Sequence, residues 1–265
     1  MAVLLIGAGR MGSALLQGWL SQGAKSLIVV EPRPSAELRK LARAKKIALF
    51  AAPSDVKRKP SVCVVAIKPQ VLKGEAETLA GFAQSGALMI SIAAGTSVAA
   101  LAKAWGRRAR IIRAMPNTPG AIGHGITGLY AAKGTTAADK KRAVSLLSAL
   151  GQTEWVAKEN LIDSVTAVSG SGPAYLFLMV EALTEAGMAE GLLRAQAEKF
   201  ARATVAGAGA LLAADKSPAS ALREAVTSPG GTTAAALAVL MADDGLAQLM
   251  KRAVKAARKR AEELR

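Results

Sequence analysis

From Ala2 to Ala131 the chain alternates between short runs of Val, Ile and Leu and longer stretches in which apolar residues recur about three and four apart. The short runs, Ala2–Ile6, Leu27–Glu31, Val62–Ala66, Leu88–Ile92, Ile111–Arg113 and Ile126–Ala131, read as strands. The stretches between them, Met11–Ser21, Ser35–Ala44, Gln70–Ala83 and Val98–Trp105, predict helices with one buried stripe. Strand and helix in strict succession are the mark of βα units, so the fold class is α/β, an open, doubly wound parallel sheet. After Trp155 the texture changes. Ala174–Ala189, Arg194–Ala214, Ala219–Ala225, Thr233–Met241 and Leu246–Leu264 are rich in Ala, Leu and Glu and lack strand-like runs, which predicts an all-α second domain. The expected division is 1–156 and 157–265. Several of the later helices are apolar on more than one side, with few large aromatics for a private core. A homodimer or larger homo-oligomer is the natural way to cover them.

A chain of 265 residues is long enough for one large or two modest domains, and 51% hydrophobic with 20% charged residues excludes disorder and fibrous structure. Only 3% of residues are aromatic, which argues against nucleic-acid binding by stacking. The lone Cys63, inside the apolar run Ser61–Ala66, cannot form an internal disulfide, which points to a reducing, cytoplasmic compartment. One histidine, His124, and no clustered Cys, Asp or Glu leave no metal site to assign. The N-terminal apolar stretch lacks the basic leader of a secretion signal. Thr78–Ala102, the longest uncharged stretch, is broken by Gly, Gln, Ser and Thr, unlike a membrane span. The net charge of +16 is compatible with a nucleic-acid binder, an anionic-membrane binder or an enzyme that gathers anionic ligands. Its densest run, Lys251 to Arg260, alternates with Ala and Val at helical spacing and reads as a solvated helix face, so no nucleic acid and no membrane is assigned as partner.

The first strand runs into Gly7-Ala8-Gly9-Arg10-Met11-Gly12 and then a helix. Three glycines at that spacing let the backbone turn tightly and approach a pyrophosphate that meets the N–H groups of the helix, which is the dinucleotide fingerprint. At the end of the second strand, where the adenine ribose is met, Glu31 suits the free hydroxyls of NAD while Arg33 suits the 2′-phosphate of NADP. The two point opposite ways, and the overall positive charge favours the more anionic cofactor, NADPH, with NADH as the alternative. Further strand ends bring Ala66, Lys68, Pro69, Ala94 and Asn117 to the carboxyl edge of the sheet, where ligands of such folds bind. Lys68 either faces a ligand anion there or is simply solvated. The prolines of Met115-Pro116-Asn117-Thr118-Pro119 stiffen a loop from which Asn117 reaches toward the nicotinamide end. In the helical half, Ser169-Gly170-Ser171-Gly172-Pro173 and Thr227-Ser228-Pro229-Gly230-Gly231-Thr232-Thr233 each open a helix. The first offers hydroxyls that cap or bind, and the second exposes consecutive N–H groups able to nest a carboxylate. There is no acid–base dyad or Ser-His-Asp set, and His124 among glycines reads as a loop residue. Hydride transfer needs no such machinery, because the cofactor carries the hard chemistry.

Taken together and in order, Gly7–Gly12, Ser91–Thr96, Arg113–Pro119, Ser169–Tyr175 and Ser228–Thr233 resemble pyrroline-5-carboxylate reductase over essentially the whole chain. The resemblance implies a Rossmann-like domain followed by an all-α dimerisation domain, and reduction of the cyclic imine of pyrroline-5-carboxylate to L-proline, the last step of proline biosynthesis. It implies that Ser228, Gly230, Gly231 and Thr232 hold the substrate carboxylate, that the Thr233 hydroxyl approaches the imine nitrogen, and that Lys68 stands with Thr233 as a catalytic residue. Glu31 is the main departure, since NADP-preferring members often carry a polar or basic residue there. Two other readings remain from the residues alone. One is reduction of another small imine or keto acid, as in the β-hydroxyacid dehydrogenases; the other is a basic dinucleotide-sensing or nucleic-acid-binding protein without turnover.

Overall fold

The computed structural model describes residues 2–264. Its strands are β1 Val3–Ile6, β2 Leu27–Val30, β3 Ala48–Phe50, β4 Val62–Val65, β5 Leu88–Ser91, β6 Arg110–Met115, β7 Gly125–Ala131 and β8 Gly151–Trp155. They form one sheet in the order β3-β2-β1-β4-β5-β6-β7-β8. The strands from β3 through β6 run parallel, β7 lies antiparallel to β6, and β8 is parallel to β7. The sheet is therefore mostly parallel, and the reversal at β7 has a simple cause. The link from Met115 to Gly125 holds only a 3₁₀ turn, Thr118–Ile122, too short for the crossover a parallel strand needs.

Every residue of β1, β2, β4 and β5 is buried, as continuous apolar runs require in a sheet covered on both faces. Alternate side chains feed two cores. Val3, Leu5, Val29 and Val64 pack with Leu15, Leu16 and Trp19 of α1 (Arg10–Ser21) and with Leu146 and Leu147 of α6 (Ala137–Leu147). Leu4, Ile6, Cys63 and Val65 pack on the other side with Leu72, Phe82, Leu101 and Trp105. Both buried indoles are satisfied: Trp19 Nε1 donates to the Leu146 carbonyl at 2.7 Å and Trp105 Nε1 to that of Ala76 at 3.0 Å. The single helix expected over Gln70–Ala83 is instead α3 (Pro69–Glu75), a 3₁₀ turn and α4 (Ala80–Gln84). Gly74 and Gly81 weaken the helix on either side of the break. α2 spans Ala36–Lys45 and α5 Val98–Trp105.

Contacts divide the chain into two compact units, Met1–Gly170 with Ala257–Arg265, and Ser171–Ala256. The first therefore keeps α7 (Leu161–Val165) and the π turn Thr166–Gly170, which follow the boundary expected near 156. α7 packs against β6 and β7, which is why it belongs with the sheet. The second unit contains α8 (Gly172–Ala189), α9 (Arg194–Ala214), α10 (Ala219–Ala225), α11 (Thr232–Leu240) and the start of α12 (Leu246–Glu263). α8 packs on α9, closely enough that a methyl at Gly187 would stand 3.3 Å from the Ala197 Cβ. Beyond that contact the unit buries little. Leu176, Phe177, Leu178, Phe200, Leu211, Leu212, Val239 and Met241 are all more than half exposed. Among the described residues, no helix is long and apolar enough to cross a membrane and no cluster of three potential metal ligands occurs.

Candidate active site

The turn from β1 into α1 is built by glycine for two different reasons. Gly7 has φ +88°, a region unfavourable to side chains, and a methyl there would stand 2.6 Å from Ile67 Cγ2. A methyl on Gly12 would overlap the Gly7 carbonyl, so that glycine lets α1 close onto the strand. Gly9, in contrast, has nothing within 4 Å of its would-be Cβ. It stands at the N-cap of α1 in extended conformation with no side-chain cap, leaving the first helical N–H groups turned toward open space. Two tight glycines below and one open above form a cradle that fits a pyrophosphate. Ser13 Oγ braces the turn by donating to the Ala8 carbonyl at 2.7 Å.

Glu31 closes the other side of this loop, an arrangement not legible in the sequence. Its Oε2 accepts from the Ala8 N–H at 2.9 Å and its Oε1 from the Arg33 N–H at 3.1 Å. Both oxygens are thereby engaged by backbone, while the Arg33 side chain is exposed and makes no ion pair among the described residues.

Three more loops arrive at the carboxyl edge. Ala66 and Ile67 follow β4 and lie against Gly7, and Lys68 is the exposed N-cap residue of α3, with Pro69 in its first turn. After β5, Ala93 is buried, Ala94 partly exposed, and Gly95 has φ +68°. A methyl on Gly95 would stand 2.8 Å from the Leu264 carbonyl oxygen, so the end of the chain's last helical segment rests on this loop. Asn117 is largely committed within the protein. Its Nδ2 donates to Ser169 Oγ at 3.1 Å and its Oδ1 accepts from the Ile126 N–H at 3.0 Å, which ties the β6–β7 link to the π turn and leaves one amide hydrogen for a ligand.

Beneath these loops lies a charge that sequence reading left without a role. Arg113, in β6, is only 2% exposed and pairs with Glu159 Oε1 at 2.9 Å. The same oxygen accepts from the Val98 N–H at 2.7 Å, at the start of α5. An arginine inside Ile111-Ile112-Arg113-Ala114-Met115 announces that a carboxylate must be near, because a buried cation without a partner is costly. Nothing in the sequence says that the partner stands 46 positions on. Cys63 is fully buried and desolvation drives its thiol far above the usual range, which keeps it protonated and unreactive. His124 lies exposed in the loop before β7.

In the second unit, Ser228, Pro229 and Gly230 are exposed and Gly230 has φ +71°. The turn closes with the Gly231 N–H donating to the Ser228 carbonyl at 3.0 Å, and Gly231 becomes the N-cap of α11 without any side-chain cap. No acidic residue occupies the first turn, so the free N–H groups of Thr232 and Thr233 and the dipole of α11 are available to an anion. Ser228, Thr232 and Thr233 add hydroxyls to that nest.

Residues 159–264 match the family model described as pyrroline-5-carboxylate reductase dimerisation, and residues 2–95 match one described as NADP oxidoreductase, coenzyme F420-dependent. The chain is 39% identical to the pyrroline-5-carboxylate reductase of Pseudomonas aeruginosa, covering 99% of this chain and 96% of that protein. It is 34% identical to that of Arabidopsis thaliana, covering 98% and 94%. Among solved structures, the pyrroline-5-carboxylate reductase from Coxiella burnetii superposes with a TM-score of 0.92 at 35% identity, over 99% of this chain and 97% of that one. The Plasmodium falciparum pyrroline carboxylate reductase with NADP bound gives 0.83 at 26% identity, over 100% and 98%. With full-length relatives at this identity and a family model spanning the helical region, the chain belongs to the pyrroline-5-carboxylate reductase family.

Proposed function

We propose that the protein reduces 1-pyrroline-5-carboxylate to L-proline with NADPH, accepting NADH as well, as a homodimer or larger homo-oligomer in the cytoplasm. The observation that carries this reading is the pairing, in one family chain, of a pyrophosphate cradle at Gly7–Gly12 with a capless, hydroxyl-rich anion nest at Ser228–Thr233. The bound dinucleotide supplies a hydride for the C=N carbon, and the nitrogen, protonated in the iminium form, ends as the secondary amine. The protein's share is to bind, orient and shield. Gly9, Arg10 and Met11 offer α1 amides to the pyrophosphate, with Ala8 and Gly12 shaping the turn. Ala66, Lys68, Pro69, Ala94 and the spare amide hydrogen of Asn117 line the cofactor's path. Lys68 adds a positive charge for the substrate carboxylate or the cofactor phosphates.

The nest around Gly230, Gly231 and Thr232, with Ser228, holds the substrate carboxylate, and Thr233 Oγ hydrogen-bonds the imine nitrogen. The geometry of Glu31 bears on cofactor choice. Because its carboxylate is already held by two backbone amides, it acts as a brace of the glycine loop, and Arg33 is left to meet the 2′-phosphate. The NADP in the Plasmodium falciparum relative and the NADP oxidoreductase match over residues 2–95 support the same choice. Apolar helices in the second unit, within the region matching the dimerisation model, support a homo-oligomer.

The test is oxidation of NADPH and of NADH in the presence of pyrroline-5-carboxylate, with proline identified as product. Turnover with NADPH and, less efficiently, with NADH is expected. Absence of turnover with both would overturn the proposal.

A further inference from the structure

The loop after β5, which carries Ala94, is gripped from two sides by segments far away in sequence. On one side Glu159 takes the Val98 N–H at 2.7 Å, at the first residue of α5, while the same oxygen is fixed by Arg113 at 2.9 Å. On the other, the Leu264 backbone lies so close to Gly95 that no Cβ fits between them. The helix has its own cap: Ser97 Oγ accepts from the Ala100 N–H at 3.2 Å. Glu159 is thus not needed to start α5. It stands in front of the helix N-terminus, where a carboxylate is favoured by the dipole, and it fixes where that terminus sits. Arg113, 2% exposed against 26% for Glu159, is anchored in the sheet between β5 and β7. The clamp therefore transmits the position of a rigid strand to the loop that precedes α5.

We propose that Glu159 is a positioning residue for the dinucleotide, holding the Ala93–Ser97 loop at the height the cofactor needs. The proposal rests on the reading of Ala94 as a cofactor contact. It predicts a specific division of effects: cofactor binding weakens when the clamp is cut, while the chemical step at saturation is nearly unchanged. Charge-assisted hydrogen bonds of this kind are among the stronger ones, so the loss of cofactor affinity is about tenfold or more.

Four variants of the full-length protein decide the matter, with NADPH affinity read from nicotinamide fluorescence and stability from urea unfolding. Glu159→Ala is expected to raise the NADPH Kd and KM by about tenfold or more, with kcat within about twofold of wild type. Glu159→Gln keeps an oxygen for the Val98 N–H and is expected to recover part of the affinity; it also serves if the alanine variant does not fold. Glu159→Ala combined with Arg113→Met removes the stranded cation, so stability returns while NADPH binding stays weak. Ala94→Asp checks the underlying reading by placing a negative charge on the loop, and is expected to weaken NADPH binding strongly. If folded Glu159→Ala binds NADPH as wild type does, or if the double variant regains affinity together with stability, Glu159 is merely structural and the proposal fails. If Ala94→Asp leaves the Kd unchanged, the cofactor reading of this loop falls and takes the proposal with it.

Discussion

The two compact units treat apolar side chains in opposite ways. In the first, strands β1, β2, β4 and β5 are buried along their whole length and each face of the sheet is covered by helices. In the second, α8 buries only Thr184, α9 only Ala197 and Ala201, and α10 and α11 bury nothing. The glycine loops do not follow that division, since each mixes tight and open positions: Gly7 and Gly12 are crowded but Gly9 is open, and Gly231 is crowded by Ser228 while Gly230 has no neighbour within 4 Å of its would-be Cβ. The first unit is finished by its own chain, whereas the second leaves apolar faces for another subunit to cover and a helix start at Gly231 without a side-chain cap.

Several substitutions break or sharpen that contrast. The largest effect is expected from Phe177→Glu on α8, a side chain 63% exposed in the single chain. A charge there costs roughly 3–5 kcal/mol if the face is covered by a partner. Light scattering should show a smaller assembly, and an unchanged mass would mean that this face stays open to water. Next comes Thr233→Ala, expected to lower kcat/KM by roughly ten- to a thousand-fold, about 1–4 kcal/mol. Wild-type kcat/KM in that variant would remove Thr233 from its assigned role.

Arg33→Ala should lower kcat/KM for NADPH by about tenfold and leave NADH nearly untouched. Equal losses with both cofactors would contradict a 2′-phosphate contact. An effect of similar size concerns the finished unit. Asp139 forms the capping box of α6, with Oδ2 accepting from Thr136 and Oδ1 from Arg110 at 2.7 Å. Desolvation alone would raise its pKa, but the Thr136 hydrogen bonds and the Arg110 charge outweigh it and hold the carboxyl below its ordinary value. A depressed folded pKa means that the stabilisation is full above the unfolded-state value and is lost as pH falls through the folded one. Asp139→Asn should therefore cost about 1–2 kcal/mol at pH 7 in urea unfolding. The difference from wild type should shrink as the medium is acidified below the usual carboxylate range; a gap independent of pH would rule out the charge as its source.

What could be read from the sequence follows from the same physics. β1, β2 and β4 were legible because strands buried on both faces must be continuously apolar. β3 and β8 were not: the first is three residues long, and the second, Gly-Gln-Thr-Glu-Trp, is a half-exposed edge strand with three consecutive polar residues and no apolar run. α6 is hidden in the sequence because its Asp-Lys-Lys-Arg segment masks the buried stripe, although Thr136 and Asp139 stand at capping-box spacing. At the candidate site, the glycine cradle and the Ser228–Thr233 nest depend on local backbone freedom, which residue type reveals directly. The Glu31 brace and the Arg113–Glu159–Val98 clamp depend on which distant segments the fold brings together, and residue type alone does not encode that pairing.

The most direct test of the central claim follows the hydride itself. With NADPH deuterated at the transferable C4 position, the account predicts that proline formed from pyrroline-5-carboxylate is heavier by one mass unit, with the deuterium on the ring carbon bonded to nitrogen that was the imine carbon. Proline without the label, or no proline at all, would contradict it.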